Sequence, residues 1–211
     1  MTDTLNTLCD AIRADFDAKT RARDGAITGS REVVRRCSEA IRALHRREWA
    51  DAQSKLDAAR ASADLMVAGV ADHPDLLSAG YIQDALKEVV EAFATDALIR
   101  DQPLPTPALL GVEGNTYLNG LAEAATELRR FILDILRRPD GDAAEAERLL
   151  MWMDAIYDQL VTFDFPDAIT GDLRRRTDVV RGVLERTRGD LTLTIQQQRL
   201  QAALKAFEDR L

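Results

Sequence analysis

The chain has 211 residues, enough for one sizeable core or at most two small ones. Its formal charge of −8, with 36 acidic against 28 basic residues, excludes a uniformly basic nucleic-acid-binding exterior but leaves room for a local basic surface. Alanine, leucine, arginine, glutamate and aspartate dominate, the composition of good helix formers. No stretch approaches the roughly 20 uncharged apolar residues of a membrane span, so no membrane partner is expected.

The acidic start, MTDTLNTLCDAIRADFD, lacks the positive n-region and apolar core of a secretory signal. Residues 2–23 set Leu5, Leu8, Ile12, Phe16 and Ala18 near one helical face. Asp24-Gly25 predicts a break that ends at Gly29-Ser30, with Ser30 as N-cap of the next helix, 30–52. That helix is expected to bury Val33, Cys37, Ala40, Ile41 and Leu44. Arg31, Arg35, Arg42 and Arg46 fall on a stripe about 60° wide on its other side. Such a stripe suits a phosphate backbone, but it also suits a solvated face interleaved with Glu32, Glu39 and Glu48. A helix over 49–70 follows, carrying Leu56, Ala59, Ala63 and Met66, and stops before Asp72-His73-Pro74. Cys9 and Cys37 fit no metal spacing and read as free thiols in a reducing compartment, which predicts a cytoplasmic protein.

Residues 81–100 and 117–130 are amphipathic helices, separated by Gln102-Pro103-Leu104-Pro105-Thr106-Pro107, where three prolines in five positions rule out helix. Each carries a glutamate pair at helical spacing: Glu88 with Glu91, and Glu123 with Glu127. Side chains three or four apart share a face, their Cβ atoms about 5–6 Å apart. Four carboxylates gathered between two packed helices repel unless a hard cation sits among them, and an all-oxygen set suits Mg²⁺ or Mn²⁺. The competing reading is solvated faces or salt bridges to Lys87, Arg129 and Arg130; Asp84 with Glu88, and Asp154 with Asp158, show that such spacing also arises elsewhere. The apolar setting favours the metal: Val89, Val90, Ala92 and Phe93 flank the first pair, and Leu121, Ala122, Ala124, Ala125 and Leu128 the second.

Pro139-Asp140-Gly141-Asp142 predicts a turn, then an apolar helix over 143–162 with Leu149, Leu150, Trp152, Met153, Ile156 and Leu160. Asp164-Phe165-Pro166 introduces another, running to about Arg188. Gly189-Asp190 is expected to close it before a last helix over 191–211. The alternating stripe Arg174, Asp178, Arg181, Glu185 and Arg188 reads as intrahelical ion pairs or a subunit contact. No Gly-rich phosphate loop, GxSxG or Cys/His metal set is present, and with only His45 and His73 a histidine acid–base mechanism is not expected. The prediction is a single all-α domain, 1–211, of about seven long antiparallel helices with short connections.

Four segments carry a resemblance to a known family: SREVVRRCSEAIRALHRREW, LKEVVEA, YLNGLAEAATELRR and FDFPDAITGDLRRRTDVVRGVLERTRGDLT. The chain resembles the translin family, and within it the prokaryotic members akin to translin-associated factor X. There the matching segments look like LQEYVEA and YLLGVADLTGELMR, and their acidic residues form a metal-dependent ribonuclease centre. The resemblance implies Glu88, Glu91, Glu123 and Glu127 as catalytic and metal-binding residues, with Glu123 standing where the family has an aspartate. The non-catalytic translin subunit lacks these glutamates. The resemblance further implies an all-α translin-like superhelix and a homo-oligomeric shell, often octameric, with its active centres facing an internal cavity. The implied activity is Mg²⁺- or Mn²⁺-dependent endoribonuclease action on single-stranded or short duplex RNA. The alternative is a non-catalytic oligomer that binds RNA or single-stranded DNA. In either case the basic stripe Arg31, Arg35, Arg42 and Arg46 is the expected nucleic-acid contact, facing inward.

Overall fold

A computed structural model describes residues 2–138 and 141–210. Among them every regular element is an α-helix: α1 (Thr2–His45), α2 (Trp49–Ala68), α3 (Pro74–Leu77), α4 (Gly80–Ile99), α5 (Pro107–Leu110), α6 (Gly114–Leu136), α7 (Ala143–Leu160), α8 (Asp167–Thr170) and α9 (Leu173–Glu208). The all-α expectation holds. Six of these helices are long and α3, α5 and α8 are single turns; the long helices fall short of seven because the predicted 2–23 and 30–52 helices run together in α1 and the last two predicted helices in α9. The chain packs as two compact units, Met1–Ala92 and Phe93–Leu211, and the division falls inside α4.

In the first unit α1 and α2 form a hairpin. Val33, Cys37, Ala40 and Leu44 of α1 are fully buried, as are Ala52 and Ala59 of α2, with Leu56 nearly so. Ile41, expected in the core, is only half-buried. The predicted break at Asp24-Gly25 and the Ser30 N-cap do not occur. α1 runs unbroken through both glycines, and the Ser30 hydroxyl donates back to the Ile27 carbonyl at 2.9 Å. The reason is packing. A Cβ on Gly29 would meet Met66 Cβ at 3.2 Å, so the missing side chain lets α2 close against α1. A helical glycine costs only about 1 kcal/mol, and burying even one large apolar side chain contributes more.

The break comes instead at His45. Glu48 N–H donates to the Ala43 carbonyl at 3.0 Å and Arg47 N–H to that of Leu44 at 2.8 Å, with Arg47 at φ 58°. This is a Schellman closure with arginine where glycine is usual, at about 1–2 kcal/mol of backbone strain. Asp101, at φ 54°, closes α4 with the same pair of bonds.

In the second unit α6 is the central helix. Phe131, Ile132 and Leu128 are essentially inaccessible, packed with Leu149 and Met153 of α7 and with Leu173 and Val180 of α9. Asp142 caps α7 by accepting from Ala144 N–H at 2.8 Å; Pro139 and Asp140 of that predicted turn lie outside the described residues. Arg148 of α7 reaches the C-terminal carbonyls of α4, Leu98 O at 2.9 Å and Ile99 O at 3.1 Å, satisfying acceptors the helix leaves open. The prolines end α4's run as expected, and the Tyr117 hydroxyl donates to Pro105 O at 2.8 Å, tying the connector to α6. Asn119 of α6 donates to Thr170 O at 2.7 Å, fixing α8 and the left-handed pair Gly171 and Asp172 ahead of α9. The predicted stop at Gly189-Asp190 is also absent: α9 continues through it, with Thr187 and Thr194 hydroxyls bonded to the carbonyls one turn back. No helix among the described residues is long and apolar enough to cross a membrane.

Candidate functional site

α4 presents Glu88, half-buried, and Glu91, 9% exposed, on one face. Their spacing does what the pattern requires, since positions three apart on a helix project together. The charges of the pair act on the wholly buried Cys37 of α1. Burial pushes that thiol up to about 12, and the charges of Glu88 and then Glu91 add to the effect. On α6, Glu123 and Glu127 stand four apart on one face and both are half-buried. One carboxylate oxygen from each of Glu88, Glu91 and Glu123 lies within 4.8 Å of the others. Glu127 is not in that group. Three carboxylates so close form a hard-oxygen donor set that could bind a metal ion.

Two cations already touch the group. Lys87, itself 8% exposed, donates to Glu88 at 2.9 Å, and Arg176 of α9 donates Nη1 to Oε1 of Glu123. The competing reading of a salt bridge to Lys87 is therefore met at Glu88, and at Glu123 the cation is Arg176, which that reading did not name. Lys87 comes from the adjacent position of the same helix, and Arg176 from a helix 53 residues further along the chain.

No family model matches the chain. It is 31% identical over 192 residues to an uncharacterized protein of Methanocaldococcus jannaschii, MJ0175, covering 90% of this chain and 84% of that one. Against the crystal structure of AfC3PO it gives a TM-score of 0.81 at 30% identity, covering 91% of this chain and 98% of that one. The chain belongs to the translin family of C3PO-type proteins.

The structure of AfC3PO in complex with duplex RNA matches with a TM-score of 0.79 over the same shares. Apo-NeC3PO, at 19% identity and a TM-score of 0.78 over 88% of this chain and 96% of that one, shares the fold. In this translin-family chain the four arginines of the predicted basic stripe are all exposed, Arg31, Arg35 and Arg42 on α1 and Arg46 in the turn that follows it. Arg35 is engaged by its own helix, with Glu32 at 2.7 Å and Glu39 at 2.5 Å, and it holds the Glu32 carboxyl below the usual carboxylate range. Arg46 pairs with Glu48 at 2.6 Å. Arg31 and Arg42 extend into solvent from the same face.

Arg176 is the site residue that the sequence reading missed. It lies two residues after Arg174, the first residue of the alternating stripe read as intrahelical ion pairs or a subunit contact, and is not itself on that stripe. Arg175 does pair that way, with Asp172 at 2.7 Å. The available signal was position: Arg176 lies three residues after Leu173 and four before Val180, both buried, and so sits at the edge of the core face of α9.

Proposed function

We propose that this translin-family chain is a metal-dependent endoribonuclease of the translin-associated factor X type, acting on single-stranded or short duplex RNA within a homo-oligomeric shell. The observation that carries the reading is the meeting of Glu88, Glu91 and Glu123 within 4.8 Å. Such crowding is unfavourable for ionised groups unless a cation offsets it. Glu88, Glu91 and Glu123 would hold Mg²⁺ or Mn²⁺, which when bound polarises a phosphodiester and lowers the pKa of water. Glu127, one helical turn beyond Glu123, is proposed to accept the proton of the attacking water, while Lys87 and Arg176 balance excess negative charge. Similarity to AfC3PO, a protein solved with duplex RNA, supports RNA as the ligand class.

Assembly into a shell, with an octamer as the proposed size, is supported by two apolar stripes with no cover in the described chain. They are Leu5, Leu8, Ile12 and Phe16 on α1, and Leu193, Leu200, Leu204 and Phe207 on α9. Each stripe lies on the part of its helix that carries no buried residue, before Ala26 in α1 and after Leu191 in α9, the pattern of a face that docks on another.

A second reading, a non-catalytic RNA- or single-stranded-DNA-binding oligomer, draws on Lys87 and Arg176, whose charges offset the carboxylates without a metal. Cleavage of a labelled single-stranded RNA separates the two. The nuclease reading expects product with Mg²⁺ or Mn²⁺, none with chelator, and none from Glu91→Ala or Glu127→Ala variants that still assemble. Cleavage that persists in chelator or in both variants overturns it. RNA binding without cleavage under either metal selects the second reading.

A further inference from the structure

We propose that the groove between α6 and α9 is a phosphate track, which binds the backbone of an RNA strand as it leaves the carboxylate end of α6. The inference rests on RNA being the ligand, but not on its being cut. The groove has a volume of about 590 Å³, and Arg129, Arg130, Arg137 and Arg186 line it with a single carboxylate, Asp134. In a chain where acids outnumber bases by 36 to 28, four arginines to one acid is a local inversion of charge.

The arginines are held in different ways, and each keeps donors to spare. Arg129 is anchored by Asp190 at 2.9 Å and Thr187 Oγ1 at 3.1 Å. Arg186 is fixed through Nε, which donates to Gly182 O at 2.9 Å, leaving its two Nη groups for a ligand. Arg137 lies 3.8 Å from Asp134, at the long end of ion pairing and with its side chain mostly exposed. Arg130 is exposed and has no ion pair among the described residues. A guanidinium carries five donors in a planar fork that fits phosphate oxygens.

Register gives the groove its direction. Glu123, Glu127, Arg130 and Asp134 sit at offsets of 0, 4, 7 and 11 on α6, with Arg137 at 14 just past its end, a stripe within about 40° either side of Glu123 at 100° per residue. At 1.5 Å per residue, Arg130 stands about 10 Å and Arg137 about 21 Å beyond Glu123 along the axis. The stripe therefore passes from two glutamates to two arginines along one helix face, with Asp134 the one carboxylate between the arginines. A single phosphate cannot span from Arg130 to Arg137, about 10 Å apart along the axis; a polymer with a charge at each repeat can. Contacts of this kind position a strand without reading its bases.

The test is equilibrium binding of a short single-stranded RNA to the full chain, in chelator so that nothing is cut, over a series of salt concentrations. The triple variant R130A/R137A/R186A is expected to bind about tenfold or more weakly, with the salt slope reduced by about 2 to 3. A control with the same charge loss elsewhere, R13A/K205A/R210A, is expected to change the slope by less than 1. If the triple variant does not assemble, Arg130→Gln alone decides the matter, since its side chain is exposed: the slope is expected to fall by about 1. Unchanged binding and slope in the triple variant or in Arg130→Gln, or equal losses in the control, overturns the proposal. So does competition by polyglutamate as effective as by RNA, which would make the groove a seat for an acidic peptide. Loss of binding in the triple variant of a chain that never cleaves RNA leaves the track standing and removes only the nuclease. Cleavage with an unaffected triple variant does the reverse.

Discussion

Arg176, near the start of α9, donates its Nη1 to Oε1 of Glu123 on α6. The contact joins a residue of the candidate metal centre to the helix that packs along α6, and it makes arginine and cation rivals for one oxygen. Arg176→Ala removes the rival. Mn²⁺ is expected to bind about tenfold tighter to this variant, the equivalent of one charged hydrogen bond of about 1.5 kcal/mol. Calorimetric titration of the variant against the unaltered chain checks it; weaker or equal Mn²⁺ binding would mean that Arg176 supports the site rather than competing for it.

Carboxylate crowding has a cost without a cation. Glu91→Gln removes one of three charges while keeping the shape, so in chelator the variant is expected to be about 1 kcal/mol more stable than the unaltered chain. Adding Mg²⁺ or Mn²⁺ should raise the melting temperature of the unaltered chain and leave the variant's where it was. A variant that melts lower in chelator would show that Glu91 is stabilised by its neighbours even without a metal.

The two long helices give a test of the fold. Gly25 in α1 and Gly189 in α9 have open space where a Cβ would go, and both sit inside continuous helix. Gly25→Ala and Gly189→Ala are each expected to stabilise by about 0.5–1 kcal/mol, read from chemical denaturation. Were the chain broken at these points, as the sequence suggested, neither change would gain helix propensity.

Cys37 supplies the pH dependence. Its thiol is fully buried and is pushed up to about 12 by burial and by the charges of Glu88 and Glu91. The folded state thus holds a proton that the unfolded chain releases near the ordinary thiol value of about 8.5. This contribution is complete below that value and is lost as pH rises from there towards 12. Stability should therefore fall over that alkaline window, and the fall should be shallower in Cys37→Ala. In the native protein a thiol reagent at mildly alkaline pH should label Cys9, which is half-exposed, and spare Cys37.

How far this was legible in the sequence depends on what each feature needed. Helical periods, the Pro103–Pro107 interruption, the buried Leu56, Ala59, Ala63 and Met66, and the glutamate pairs were all visible, because each is set by spacing along one helix. The helix ends were read wrongly at Gly29 and Gly189. Whether a glycine ends a helix or lets a partner approach depends on what packs against it, as Met66 does at Gly29. The true ends at Arg47 and Asp101 carry no glycine, so their left-handed turns gave no local signal. Arg176 showed only its place at the edge of a core face, and its pairing with Glu123 was hidden because the two are 53 residues apart.

Titration of Mn²⁺ into the metal-free chain, with Glu91→Gln alongside, tests the central claim most directly. The account predicts saturable binding by the unaltered chain and its loss in the variant, with assembly unchanged in both. Binding that is absent from the unaltered chain, or equally tight in Glu91→Gln, would contradict it.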